Sequence, residues 1–182
     1  MKIAVFFPGI GYRFNKPLLY YSKKLAKECG YDTFLEVDYR IKKTTNIRGN
    51  AEKMREAFDE ACESAEKFLA PILWQEYDEI VFISKSIGTA ISSAYAFRHN
   101  LKAKSILFTP LAETFSFPLQ GSIAFHGTAD PWAETDSVQA LAAQKEVPLF
   151  LTKNANHSLE TGDVLTDIFI LKTTMERVQR FI

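Results

Sequence analysis

Three short stretches of the chain carry side chains that can act together in acyl transfer. Ser86 lies in Ser84-Lys85-Ser86-Ile87-Gly88, Asp130 in His126-Gly127-Thr128-Ala129-Asp130-Pro131-Trp132, and His157 in Asn154-Ala155-Asn156-His157-Ser158. A serine hydroxyl is a weak nucleophile until a base takes its proton. An imidazole does this near neutral pH, and a carboxylate behind it holds the tautomer and stabilises the cation that forms. A reacting carbonyl also needs donors for the charge that develops on its oxygen. The Ile87 amide, at a helix start, is one such donor. A second comes from Pro8-Gly9-Ile10-Gly11, whose glycines let the backbone come close and present the Ile10 amide.

Each of these residues has rivals or a plainer reading. Glu113, Glu134 and Asp136 are alternatives to Asp130 as the acid. Ser84 reads as a packing or hydrogen-bonding neighbour of the nucleophile. Lys85 reads as structural or solvent-facing, since adjacent residues on a sharp turn point in different directions. His99 sits at a helix end, where a cation suits the dipole, and His126 reads as orienting its own loop. Gly9, Gly11, Tyr12, Arg13 and Trp132 are candidates to meet substrate, although Tyr12 and Arg13 read equally well as surface residues. Phe115, Phe117 and Trp132 line an acyl pocket or simply belong to the core. His126 and Asp130 lack further ligands at sensible spacing, so no metal is expected.

The elements that must position these groups follow from periodicity and punctuation. Short apolar runs at residues 2–7, 33–37, 80–83, 103–108, 122–125 and 147–151 read as six buried strands. Between them lie amphipathic segments. The first helix opens with Asn15 as cap and Pro17 in its first turn, with Leu18, Tyr21, Leu25 and Cys29 on one face up to Gly30. The clearest helix carries Ala51, Met54, Phe58, Ala61, Ala65, Phe68 and Leu69 on one face and ends near Pro71. A small-residue helix follows from Ile87 to about His99, another from about Glu134 to Gln144, and a last one from about Asp163 to the end. In that last helix Val164, Ile168, Leu171, Met175, Val178 and Ile182 recur at helical spacing. Nearly continuous apolar strands alternating with helices predict an α/β fold, a three-layer sandwich around a mainly parallel six-stranded sheet. In such a sheet reactive groups collect at the carboxyl ends of strands, which is where all three stretches fall.

Composition sets the outer bounds. With 182 residues, of which 47% are hydrophobic, the chain suits a single domain spanning residues 1–182. Lysine and arginine number 22, as do aspartate and glutamate, and no long run of one sign occurs, so neither nucleic acid nor a membrane surface is an expected partner. The two cysteines, Cys29 and Cys62, fall on apolar helix faces, and neither a disulfide nor a metal site is expected of them. The apolar stretch Ile3 to Phe7 is too short for a signal-peptide core, and the expectation is a cytoplasmic protein, monomeric or a homodimer.

Taken together, the three stretches give the chain a likeness to the small α/β-hydrolases. It resembles that superfamily over essentially its whole length, without a cap domain and without the first two strands of larger members. The nucleophile-elbow motif Gly-x-Ser-x-Gly is here Ser84-Lys85-Ser86-Ile87-Gly88, with serine in place of the first glycine. The resemblance implies a Ser86, His157, Asp130 triad of a carboxylesterase- or thioesterase-type serine hydrolase acting on a small or flexible acyl substrate, with no cofactor. Two other readings stand beside it. One is a catalytically silent ligand-binding or interaction protein on the same fold. The other is a nucleotide-dependent oxidoreductase, suggested by Gly9-x-Gly11 and by Asp38 after the second strand, with Phe14 where the third glycine of that fingerprint would fall.

Overall fold

The computed structural model describes residues 1–39, 41 and 49–182. Its centre is a six-stranded, wholly parallel sheet in the order β2-β1-β3-β4-β5-β6, formed by β1 (Lys2–Phe7), β2 (Thr33–Glu36), β3 (Glu79–Lys85), β4 (Lys104–Phe108), β5 (Ser122–Gly127) and β6 (Leu149–Thr152). Five helices connect them: α1 (Pro17–Glu28), α2 (Ala51–Leu69), α3 (Ile87–Arg98), α4 (Thr135–Gln144) and α5 (Val164–Phe181). Short 3-10 turns occupy Trp74–Glu76 and Ala112–Ser116.

Strand alternation sorts the core into two faces. Ile3, Val5 and Phe7 of β1 and Phe82 of β3 pack with α2 and α3. Ala4, Phe6, Val81 and Ile83, one residue out of step, pack with α1 and α5. Leu107 and Ala124 continue the first face toward α4. Both faces of the sheet are therefore covered, which is why its strands read as unbroken apolar runs. No helix of the described residues is long and apolar enough to cross a membrane.

Several expectations are corrected. Asn15 does not cap α1: Lys16 holds the cap position without a side-chain hydrogen bond, and Pro17 begins the helix. The buried stripe of α1 is Leu18, Leu19, Ser22 and Ala26, which leaves Tyr21 exposed. In α5 the stripe is Ile170, Thr174, Met175 and Val178, while Val164 and Ile168 are 70% and 59% exposed. Both helices carry more apolar residues than one face can bury, so spacing alone admits two neighbouring stripes. Phe68 of α2 is likewise exposed. The last strand starts at Leu149, with Val147 buried ahead of it, just past the turn that ends α4. The caps of α2 and α5 are made by Asn50 and Asp163, which accept from the amides of Lys53 and Thr166.

For Lys85, read as structural or solvent-facing, the structure rejects the second alternative. It is not solvent-facing but 1% exposed, on the α1/α5 face of the sheet with Val81 and Ile83, its Nζ 5.1 Å from the centre of the Tyr12 ring. Among the described residues no carboxylate stands within ion-pair distance of it. Burial pulls its ammonium down from the ordinary 10.5 to about 7, against the attraction of the Asp130 charge.

Two tests follow. A Cβ on Gly88 would lie 2.3 Å from the Phe7 carbonyl oxygen and 2.6 Å from that of Pro8. Gly88→Ala should therefore lower stability by about 1–3 kcal/mol despite alanine's better helix propensity; an unchanged thermal midpoint would refute that packing. Lys85→Met should raise the thermal midpoint. The unfolded chain holds the Lys85 proton from about 7 up to 10.5 while the folded chain does not, so wild-type stability gains with pH across that window. The advantage of Lys85→Met is then greatest at pH 7 and below and shrinks above it.

Candidate functional site

The sheet order reverses between β1 and β3, since β1 continues through α1 to one side and β3 through α3 to the other. Loops leaving these two strands diverge and open a crevice at the carboxyl edge. Ser86 stands there, between β3 and α3, with φ +58° and ψ −127°, a conformation that costs a non-glycine residue energy and must be held by its surroundings. Its amide donates to the Phe108 carbonyl at 3.0 Å, and its carbonyl accepts from the Thr89 hydroxyl at 2.6 Å. The Thr114 hydroxyl lies 2.6 Å from that of Thr89. With the Thr89 proton committed to Ser86, Thr114 is the donor of this second bond. Gly88 lets the first turn of α3 rest on the carbonyls that end β1, and the Cβ of Ser86 lies only 3.2 Å from where a Cβ on Gly9 would be. Ser84 is buried, and its hydroxyl donates to the Ile106 carbonyl at 3.1 Å, so it ties β3 to β4 instead of facing the crevice.

His157 reaches Ser86 from the far side of the sheet. The Ser86 hydroxyl and His157 Nε2 are 2.7 Å apart, and His157 Nδ1 and Asp130 Oδ2 are also 2.7 Å apart. Because the ionised carboxylate only accepts, Nδ1 carries the proton and Nε2 is left free to accept from Ser86. Asp130 is fully enclosed and its other oxygen accepts from the Trp132 amide at 2.8 Å. None of Glu113, Glu134 or Asp136 takes this place: Glu113 lies exposed in the Ala112–Ser116 turn, Glu134 precedes α4, and Asp136 is in its first turn.

Backbone contacts hold the two loops together. The amides of Thr128 and Ala129 donate to the carbonyls of Thr152 and Ala155, each at 2.9 Å, and the Thr128 hydroxyl accepts from the Asn154 amide at 2.8 Å. A Cβ on Gly127 would meet the Ala155 carbonyl oxygen at 2.2 Å, so only glycine admits this approach. Asn156 shapes the turn around the histidine by accepting from the amides of Ser158 and Glu160. The Thr109 hydroxyl donates to the His157 carbonyl at 3.1 Å. Of these supports, Thr89, Thr109, Thr114 and Gly127 escaped the sequence reading. Thr109 and Gly127 had one available signal, their place at the carboxyl end of a strand.

Burial lowers the His157 imidazole below its ordinary range, opposed by the Asp130 hydrogen bond and reinforced by the Lys85 charge. At neutral pH it is therefore the neutral base that proton transfer from Ser86 needs. Burial would raise the Asp130 carboxyl, yet the His157 hydrogen bond and charge and the Trp132 amide outweigh it and hold the group ionised. His126 is fully buried, its Nδ1 3.7 Å from Asp130 Oδ2 and without a hydrogen bond, and burial holds this second imidazole low as well.

Ser86 and His157 open into a cleft of about 270 Å³ that Ile10 and Ile87 also line. Gly9, Gly11, Tyr12 and Trp132, expected to meet substrate, border it too. Arg13 does not: its guanidinium pairs with Asp38 at 2.8 Å on the surface. The Tyr12 hydroxyl accepts from the Leu18 amide, leaving the ring as its contribution to the cleft wall. Trp132, 37% exposed, sets its ring 5.6 Å from that of His157.

No protein-family model matches the chain, and no curated protein matches it in sequence. Solved structures do match in shape. A lidless α/β serine hydrolase from Xanthomonas campestris shares 16% identity over 99% of this chain and 80% of its own, with a TM-score of 0.67. An α/β serine hydrolase homologue from Coxiella burnetii shares 17% identity over 99% of this chain and 84% of its own, with a TM-score of 0.65. A carboxylesterase from Bacillus cereus shares 18% identity over 100% and 89%, with a TM-score of 0.63. What they have in common with this chain is the path of the backbone through sheet and helices, and on that evidence the chain has the α/β-hydrolase fold.

Proposed function

We propose that the protein is a serine hydrolase that cleaves a carboxylic ester or thioester through an acyl-enzyme on Ser86. The observation that carries this reading is the unbroken hydrogen-bond chain from the Ser86 hydroxyl through His157 to Asp130, 2.7 Å at each step, at the mouth of a cleft. Such a chain activates a hydroxyl that is otherwise inert at neutral pH.

The reaction runs in two halves. Ser86 Oγ attacks the substrate carbonyl carbon while its proton passes to His157 Nε2, and the carbonyl π electrons move to oxygen. The amides of Ile10 and Ile87 receive that oxyanion, the second with the aid of the α3 dipole. Asp130 stabilises the imidazolium without taking its proton. Collapse of the tetrahedral adduct expels the alkoxide or thiolate, which takes the proton from His157. Water then enters, gives its proton to the same nitrogen and repeats the sequence on the acyl-enzyme, releasing the acid and free Ser86.

Intact-mass analysis after treatment with a fluorophosphonate should show one adduct, mapped to Ser86, and none in Ser86→Ala. Asp130→Asn, which leaves the wrong imidazole nitrogen protonated, should lower kcat on the order of 10⁴-fold. Persistent ester hydrolysis by purified Ser86→Ala would sink the assignment. The acid limb of the kcat/KM profile should have its midpoint below 6.5, because protonating His157 removes the base and burial holds its pKa beneath that value. Lys85→Met should move the limb upward, since the Lys85 charge opposes protonation of His157; a downward or absent shift would contradict this.

A further inference from the structure

A second cavity, of about 350 Å³, lies beside the triad cleft between α2, the first turn of α3 and the Ala112–Ser116 turn. Met54, Ile87 and Leu111 border both spaces, so the two adjoin at these three side chains. Its remaining wall is Phe58, Ala90 and Phe117, with Ala51, Arg55, Glu113 and Ser116 as exposed residues at its rim. Among the described residues the deep part of its wall is apolar, which makes it an apolar chamber beside the reaction site.

Stereochemistry decides which part of an ester would enter it. His157 must return its proton to the leaving atom, so the leaving group has to lie on the His157 side of Ser86, toward Trp132 and Ser158, which border the triad cleft and not the apolar chamber. The acyl group then extends the opposite way, past Ile87 and Leu111. We infer that the chamber walled by Met54, Phe58, Ala90, Leu111 and Phe117 is the acyl subsite, and that the substrate class is esters or thioesters of an apolar aliphatic acid longer than acetate or butyrate. The inference rests on Ser86 being the nucleophile, and it narrows that reading from any small acyl group to a hydrocarbon chain. The leaving group, by contrast, faces the end of the triad cleft beside the part-exposed Trp132.

The test is a chain-length profile of kcat/KM on p-nitrophenyl esters from acetate through butyrate to octanoate, together with ethyl octanoate against octyl acetate. Each methylene that enters the chamber should raise kcat/KM by up to about fourfold, and ethyl octanoate should exceed octyl acetate. Ala90→Phe, which fills the chamber from α3, should lower the octanoate-to-acetate ratio by about tenfold or more. Should that variant fail to fold, Met54→Asp puts a charge into the wall from a half-exposed position of α2 and should lower the same ratio. A flat or falling profile with Ser86 still labelled by fluorophosphonate overturns the subsite and leaves the hydrolase reading standing. Equal gain from octyl acetate overturns the assignment of sides. Absence of both turnover and Ser86 labelling overturns both readings.

Discussion

Backbone packed directly on backbone at the carboxyl edge of the sheet is the constraint from which the site follows. Gly88 lets the first turn of α3 lie on the carbonyls of Phe7 and Pro8, and Gly127 lets the loop after β6 lie on the end of β5. The first contact pushes Ser86 outward into its positive-φ conformation and brings the Gly9–Gly11 loop against it. The second brings His157 inward over Asp130. Neither approach survives a methyl group at the contact point, so the 2.7 Å distances that join Ser86, His157 and Asp130 are consequences of two glycines that touch no substrate.

Behind that edge, charge is unevenly matched. One enclosed carboxylate, Asp130, faces three buried or part-buried bases in His157, His126 and Lys85. A single negative charge cannot neutralise three cations in a medium of low dielectric, so burial holds all three below their ordinary values. Asp130 is committed to His157 by the shorter contact, 2.7 Å against 3.7 Å for His126. The result is a neutral imidazole with one free nitrogen beside a hydroxyl, which is the resting state that general-base chemistry requires. The same imbalance makes Lys85 costly to the fold, in keeping with the view that groups which serve a site are often those which the core would rather lack.

The walls of the cleft are divided in character. Toward His157 lie Trp132 and the polar loop at Ser158, and toward Ile87 lie the half-buried apolar side chains of α2 and of the turn after β4. Met54 and Phe58 are packed at the edge of the core instead of within it. A helix that covers the sheet with Ala57, Ala61 and Ala65 therefore still presents an apolar shoulder to the crevice.

How much was legible in the sequence depended on the range of the interaction involved. Six apolar runs, each bounded by turn chemistry, determined a covered parallel sheet, and the strand-end positions of Ser86, Asp130 and His157 determined which side chains meet, because strand ends in such a sheet share one edge whatever the details of packing. Helix caps are local too, yet the one cap read from the sequence, Asn15, falls one residue before the actual cap position at Lys16. Only the tertiary structure decided the rest. The buried stripes of α1 and α5 depend on which neighbour each helix meets, and both helices carry enough apolar residues for two answers. Lys85 is buried because Tyr12 and α1 close over the end of β3. The hydroxyls of Thr89, Thr109 and Thr114 acquire partners that are distant in sequence for two of the three bonds they make around the site. Periodicity and capping act over one or two turns of chain and leave a trace in composition, whereas contact between carbonyls, hydroxyls and a lone ammonium across elements leaves none.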